Sequence, residues 1–227
     1  MTPWITKPIP FNIGQGAAAG SSVVTPDFET DFPNADLWTE VGTDFNIASN
    51  KANNGGAGNS SDQRLYLTSG LGFTLSNSLW SIRFTYKITT AGGGIGSGVP
   101  LYVSDSVAKP LTSSLDMIGV NAANPRQLAT AYNSGSGFSA GTESSALTSG
   151  TEYYIQLQRT STTATSLTIY TDDTFETEFQ SPITQAISSS IQDLDQLAIS
   201  STDNGSKSTP QNDWYIADLK VYDSYNF

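Results

Sequence analysis

Trp80-Ser81-Ile82-Arg83-Phe84-Thr85-Tyr86-Lys87-Ile88 alternates apolar and polar side chains without a break. Successive side chains of a strand point to opposite faces, so Trp80, Ile82, Phe84, Tyr86 and Ile88 share one face, while Ser81, Arg83, Thr85 and Lys87 share the other. An antiparallel strand with one face in the core and the other wet reads this way. The same pattern recurs twice downstream. Tyr153, Ile155 and Leu157 alternate with Tyr154, Gln156 and Gln158 over residues 153–159, and Leu167 and Ile169 alternate with Thr168 and Tyr170 over residues 166–171. Joined by residues 160–165, these two runs predict an antiparallel hairpin whose inward and outward sets match.

Outward from these three runs the signals are shorter. Strands are predicted at 44–48, 63–67, 99–104, 117–120, 128–132, 177–179, 196–200 and 214–222, with Gly- and Asn-rich exposed loops at 53–61, 91–98, 133–141 and 202–212. Many short strands between turn residues specify an antiparallel sandwich. Ile183, Ile187, Ile191 and Leu194 are spaced for one short turn of helix, and no internal repeat is present. Residues 1–26 differ from the rest: Pro3, Pro8, Pro10 and Pro26 bracket a Gly/Ala/Ser run, which predicts an extended N-terminal arm ahead of a sandwich domain at 27–227. Packing of this arm on its own domain and docking on another subunit are both compatible with the sequence.

Composition removes whole classes of chemistry. The 227 residues include no Cys and no His, which excludes disulfides, thiolate metal sites, Ser-His-Asp triads and histidine pH switches. A net charge of -11 and the lack of a Lys/Arg cluster argue against nucleic acid as a partner. No apolar run is long enough for a membrane-spanning helix, and the first residues lack a secretory-signal profile. Charged residues make up only 14%, so solubility rests on neutral Ser, Thr, Asn and Gly groups, as on an extracellular surface.

Phe28-Glu29-Thr30-Asp31-Phe32, Leu37-Trp38-Thr39-Glu40-Val41-Gly42 and Phe45-Asn46-Ile47 resemble the first strands of concanavalin A-like lectin/glucanase domains. Trp214-Tyr215-Ile216-Ala217-Asp218-Leu219-Lys220-Val221-Tyr222-Asp223 resembles the last strand of laminin G-like jelly rolls, and the hairpin at 153–170 fits the central strands. The resemblance covers residues 27–224 and implies an all-β, antiparallel two-sheet jelly-roll sandwich whose last strand returns beside the first. It implies nothing as definite about function, because the family holds lectins, glycosidases, lyases and virion proteins.

Two constellations bear on chemistry. Family glycosidases carry a Glu-x-Asp-x-Glu strand, and the nearest run here, Asp172-Asp173-Thr174-Phe175-Glu176-Thr177-Glu178, lacks its central Asp and closing Glu, so no catalytic residue is expected. The resemblance also implies a structural calcium, for which Glu29, Asp31 and Asp218 or the loop Asp203-Asn204-Gly205 are candidates; the alternative is that these carboxylates are simply solvated. For a ligand, the outward residues Arg83, Tyr154, Gln156, Gln158 and Tyr170 offer rings for sugar faces and planar polar groups for hydroxyls. The same face could equally pack on another subunit.

The expectation from the sequence is therefore a non-catalytic, oligomeric virion surface protein of the phage capsid decoration, cement or fibre type, tied to other structural subunits by its arm. The alternative is an extracellular lectin-like module that binds cell-surface glycans. A glycosidase or polysaccharide lyase ranks third.

Overall fold

Trp80, Ile82, Phe84, Tyr86 and Ile88 are all buried, and the strand that carries them runs on to Thr90. The computed structural model describes residues 24–30, 32, 35–43, 45–55, 62–90, 98–110, 114–123, 126–201, 213–224 and 227. Most of the predicted arm, residues 1–23, thus lies outside the described residues, as do Asp31 and the loop at 202–212.

The strands, in chain order, are β1 (Phe28–Thr30), β2 (Trp38–Val41), β3 (Phe45–Ala48), β4 (Lys51–Asn54), β5 (Arg64–Leu67), β6 (Trp80–Thr90), β7 (Gly98–Ser104) and β8 (Asp116–Ala123). They continue as β9 (Gln127–Ser134), β10 (Phe138–Ala140), β11 (Glu152–Ser161), β12 (Ala164–Tyr170), β13 (Ile183–Ala186), β14 (Gln196–Ser200) and β15 (Asp213–Asp223). One sheet has the order β13-β12-β11-β6-β15-β4-β3, with β1 also paired to β15; the other has the order β10-β9-β8-β7-β14-β5-β2. Every pairing between them is antiparallel, and β15 does return beside β1, with Phe28 opposite Val221. The architecture is the all-β, two-sheet jelly-roll sandwich expected.

The hairpin register is the predicted one. Tyr154 lies opposite Tyr170, Gln156 opposite Thr168 and Gln158 opposite Ser166, while Ile155 and Leu157 meet Ile169 and Leu167 on the inner face. Across the other edge of β11, Leu157 meets Ile82 and Gln156 meets Arg83. The inner faces of both sheets close over one core, in which these residues join Leu101, Val103, Ile118, Val120, Leu197, Ile199, Trp214, Ile216, Leu219 and Val221. At the end of β11, Arg159 also turns inward and is 0% exposed; its guanidinium donates to the carbonyls of Thr162 (3.1 Å) and Ile191 (2.9 Å). Those bonds tie the segment after β13 to the hairpin.

The second sheet is apolar on its outer face too. Val99, Tyr102, Leu115, Met117, Ala131 and Ala198 form a smaller cluster there, against which Tyr66, Ala108 and Phe138 pack. Gly119 is required beneath it, because a Cβ at that position would stand 2.5 Å from the Leu101 carbonyl oxygen.

Four expectations change. Ile183, Ile187, Ile191 and Leu194 are all buried, but Ile183 belongs to a strand and the rest to the irregular segment that follows it. The Ser188 hydroxyl accepts from the Ser190 amide (3.2 Å), a local bond that competes with helix. Residues 177–179 make a single bridge, Glu178 to Tyr170, and no strand. Of the loop expected at 53–61, Asn53 and Asn54 instead pair with β15 and β3, and residues 56–61 lie outside the described residues. The loop expected at 133–141 holds the end of β9 and all of β10, with the Asn133 side chain accepting from the Gly137 amide. Asparagine supplied turn-like composition in both places while its amide was used inside the sheet.

Leu157→Ala should leave a cavity between Ile82 and Leu167 and cost about 2–5 kcal/mol of unfolding free energy. Urea denaturation measures this; a midpoint unchanged from the parent would contradict the central place given to the β6–β11–β12 core.

Candidate functional site

On the outer face of the first sheet, polar residues of β6, β11, β12 and β15 stand where the alternation put them, but most are not wet. Gln156 is 2% exposed and Gln158 6%, and Ser81, Thr85, Ser166 and Thr168 are buried as well. What remains open is a cleft of about 440 Å³ lined by Arg83, Thr85, Tyr154, Asp173, Thr174, Phe175, Asp218, Lys220 and Tyr222. Of the five predicted ligand residues, the cleft includes Arg83 and Tyr154. Gln156 and Tyr170 lie behind that lining as its support, and Gln158 lies beyond it, opposite Ser81.

The support is specific. Arg83 Nε donates to Gln156 Oε1 at 2.7 Å, and the guanidinium stands over two rings, 4.4 Å from the centre of Phe175 and 3.5 Å from that of Phe227, as cation–π contacts. Phe175 in turn meets Tyr170 and Tyr154 edge-on, with ring centres 5.3 Å and 6.1 Å apart. Burial, with Glu152 and Asp173 adding to it, raises the Tyr154 phenol above its ordinary pKa, so it stays a neutral donor.

Phe175 is carried by the turn after β12 and has φ +59°, a left-handed conformation that a bulky residue adopts only when its surroundings impose it. Asp172 imposes it. Its carboxylate accepts from the Thr174 hydroxyl and from the amides of Thr174 (3.2 Å), Glu176 (3.2 Å) and Thr177 (2.7 Å). Those donors, the Thr174 hydroxyl first, hold its pKa well below the usual carboxylate range. The acidic run is thus a capped turn: Asp172 organises it, Asp173 faces the cleft, and Glu176 and Glu178 are exposed outside the cleft lining. An Asp two residues before a Thr is an Asx-turn signal that the sequence did carry.

A β-bulge makes the floor. Ala217 pairs with Thr85 and Lys220 with Arg83, so two residues of β15, Asp218 and Leu219, oppose Phe84 alone. Asp218 takes φ +50° at this point, faces solvent, and accepts from the Thr85 hydroxyl at 3.0 Å. Leu219 turns into the core. Sequence reasoning missed the bulge although its signal is plain: the inward series Trp214, Ile216 resumes at Leu219, Val221, one position late. Lys220 forms no ion pair or hydrogen bond among the described residues, and Glu29 is its neighbour across β1. At the far rim, Tyr215 donates to Glu152 and carries the Lys51 ammonium over its ring at 3.8 Å.

No protein-family model matches the sequence, and no curated protein is detectably similar to it. Solved structures are similar in fold. The exoplasmic/lumenal domain of VIP36 superposes with TM-score 0.55 at 10% identity, covering 84% of this chain and 86% of that one. The carbohydrate-binding module CBM66 from Bacillus subtilis gives TM-score 0.51 at 8% identity, over 82% of this chain and 95% of that one. The likeness is one of fold, a two-sheet antiparallel β-sandwich. A mutant Trypanosoma rangeli sialidase gives TM-score 0.50 at 10% identity over 82% of this chain, and the match spans only 27% of that enzyme.

VIP36 is known in a metal-free form and in a Ca²⁺/Man-bound form. Calcium requires several oxygen ligands converging on one point. Among the described residues no group of three or more acidic side chains gathers in this way. Glu29 and Asp218 are on adjacent strands, Asp218 is engaged by Thr85, and Asp31, like the Asp203-Asn204-Gly205 alternative, lies outside the described residues. The described residues do not make a calcium shell.

Asp172→Ala removes the side-chain acceptor that holds the turn and leaves the backbone bond from the Phe175 amide to the residue 172 carbonyl (3.3 Å). The NMR signals of the Phe175 ring should then move from ring-current-shifted positions to random-coil values, with little change in melting temperature because the turn is at the surface. In the parent, the depressed pKa means the tie is complete above pH ~4 and weakens as the pH falls below it. Ring signals that stay shifted in the variant would refute this role.

Proposed function

We propose that the chain is a non-catalytic carbohydrate-binding module of extracellular type, seating one sugar of a glycan in the cleft above Thr85. The observation that carries this reading is the lining itself. Phe175 and Tyr154 supply apolar ring surface, and Arg83, Lys220, Asp173 and Asp218 surround it with donors and acceptors suited to sugar hydroxyls. Arg83, Gln156, Phe175 and Tyr170 brace one another, so the wall is set before ligand arrives and less ordering is needed on binding.

The fold neighbours support the saccharide reading over virion assembly, since one is a carbohydrate-binding module and another occurs with mannose bound. The arm through which the assembly reading tied the chain to other subunits lies, over residues 1–23, outside the described residues. Against catalysis stands the exposure of the cleft carboxylates. A general acid at neutral pH needs a carboxyl kept protonated by burial, and Asp173 and Asp218 both face solvent.

Binding to an immobilised glycan panel tests the proposal. Tyr154→Ala and Phe175→Ala should each weaken retention of the glycans the parent selects by about tenfold. Two results would reject the reading: a parent that retains no glycan, or variants that retain glycans as well as the parent. Release of reducing ends from a bound polysaccharide would reject its non-catalytic half.

A further inference from the structure

The charges of the cleft are sorted, and the sorting selects a class of sugar. Arg83 and Lys220 are register partners on β6 and β15, which places both cations side by side on one row of the sheet. Thr85 and Asp218 form the next row on the same face, roughly 6.6 Å away at the usual strand rise. Asp173 comes from the turn beside Phe175, and its negative charge reaches Tyr154 at that second row. The cleft therefore has one end with two cations, beside which the exposed Glu29 of β1 continues the row, and an anionic end about one strand repeat away, with an aromatic ring at its side.

A neutral sugar would use such a cleft poorly. Asp218 and Asp173 accept hydroxyl protons well, but a hydroxyl offers Lys220 only a neutral acceptor, whereas a carboxylate there makes a charge-assisted bond. The separation of the two rows is close to the width of one pyranose ring. A ring that presents a carboxylate at one side and hydroxyls at the other would satisfy both ends together.

Resting on the proposed saccharide site, we infer that the cleft takes a sugar residue bearing a single carboxylate, of the hexuronic acid type, with the carboxylate against Lys220 and Arg83 and ring hydroxyls against Asp218 and Asp173. Lys220 is the specificity residue. Its ammonium is not committed to any described carboxylate, and Glu29, its neighbour across β1, does not form an ion pair with it. Arg83 contributes charge and in-plane donors, but it also braces Gln156 and Phe175, so its loss would damage the wall as well as the charge.

The test is a calorimetric comparison of the methyl glycosides of glucuronic and galacturonic acid with those of glucose and galactose, on the parent and on Lys220→Gln. The parent should bind at least one uronide about tenfold more tightly than its neutral counterpart, and this preference should shrink as salt is raised. Lys220→Gln should bring the pair to parity while the Phe175 ring signals stay ring-current-shifted, which shows that the wall is intact. Equal binding of acid and neutral sugars by the parent, or a preference that survives in Lys220→Gln, would overturn the inference and leave the saccharide site standing. Failure of all four glycosides to bind the parent would overturn both.

Discussion

Strand β6 has to serve two environments along one backbone, and the rest of the molecule is arranged around that constraint. Its inner side chains are large and apolar and need partners from β11 and β15 on either side and from the second sheet above. Its outer side chains include Arg83 and Thr85, for which burial without partners would cost several kcal/mol each. Partners are supplied by register: Gln156 of β11 takes the Arg83 Nε–H, and Asp218 of β15 takes the Thr85 hydroxyl proton. An inner-face alignment that pairs Leu157 with Ile82 places Gln156 beside Arg83 automatically, since the two faces share one ladder. The same ladder thus fixes core and cleft.

The bulge in β15 extends this coupling. An unbroken alternation would point Asp218 inward and Leu219 outward, burying a carboxylate in the core and exposing a leucine in the cleft. Inserting one residue against Phe84 reverses both, and it increases the local bend of the strand just where the cleft opens. The positive φ at Asp218 is a modest local cost, since Asp tolerates the left-handed region better than most residues.

This explains what could be read from the residues. The strands at 80–88, 153–159 and 166–171 were legible because one face is apolar and the other polar, and there the faces, the register and two of the cleft residues, Arg83 and Tyr154, followed directly. The second sheet was harder because β7 is buried along its whole length, so its sequence shows no alternation to count. The remaining cleft residues were illegible for different reasons. Asp218 and Lys220 depend on a skipped beat in an otherwise regular strand, and Asp173 and Phe175 depend on a turn whose direction is set by four hydrogen bonds to Asp172. The burial of Gln156 and Gln158 was not readable at all, since alternation reports which way a side chain points and not what lies over it.

A cationic row inside a chain of net charge -11 looks contradictory until the distances are compared. Surface carboxylates beyond about 8–10 Å are screened at physiological salt, whereas a charge seated in the cleft meets Lys220 and Arg83 at contact. The two ranges therefore act on different ligands. A polyanion must bring many charges close to the acidic surface at once and is repelled along its length, while one carboxylate on an otherwise neutral sugar touches the local pair and meets the cleft carboxylates only across the row spacing. The global acidity and the local cations together form a filter that admits one negative charge and resists many, which is how a surface built mainly of Ser, Thr, Asn and Gly can be selective without being highly charged.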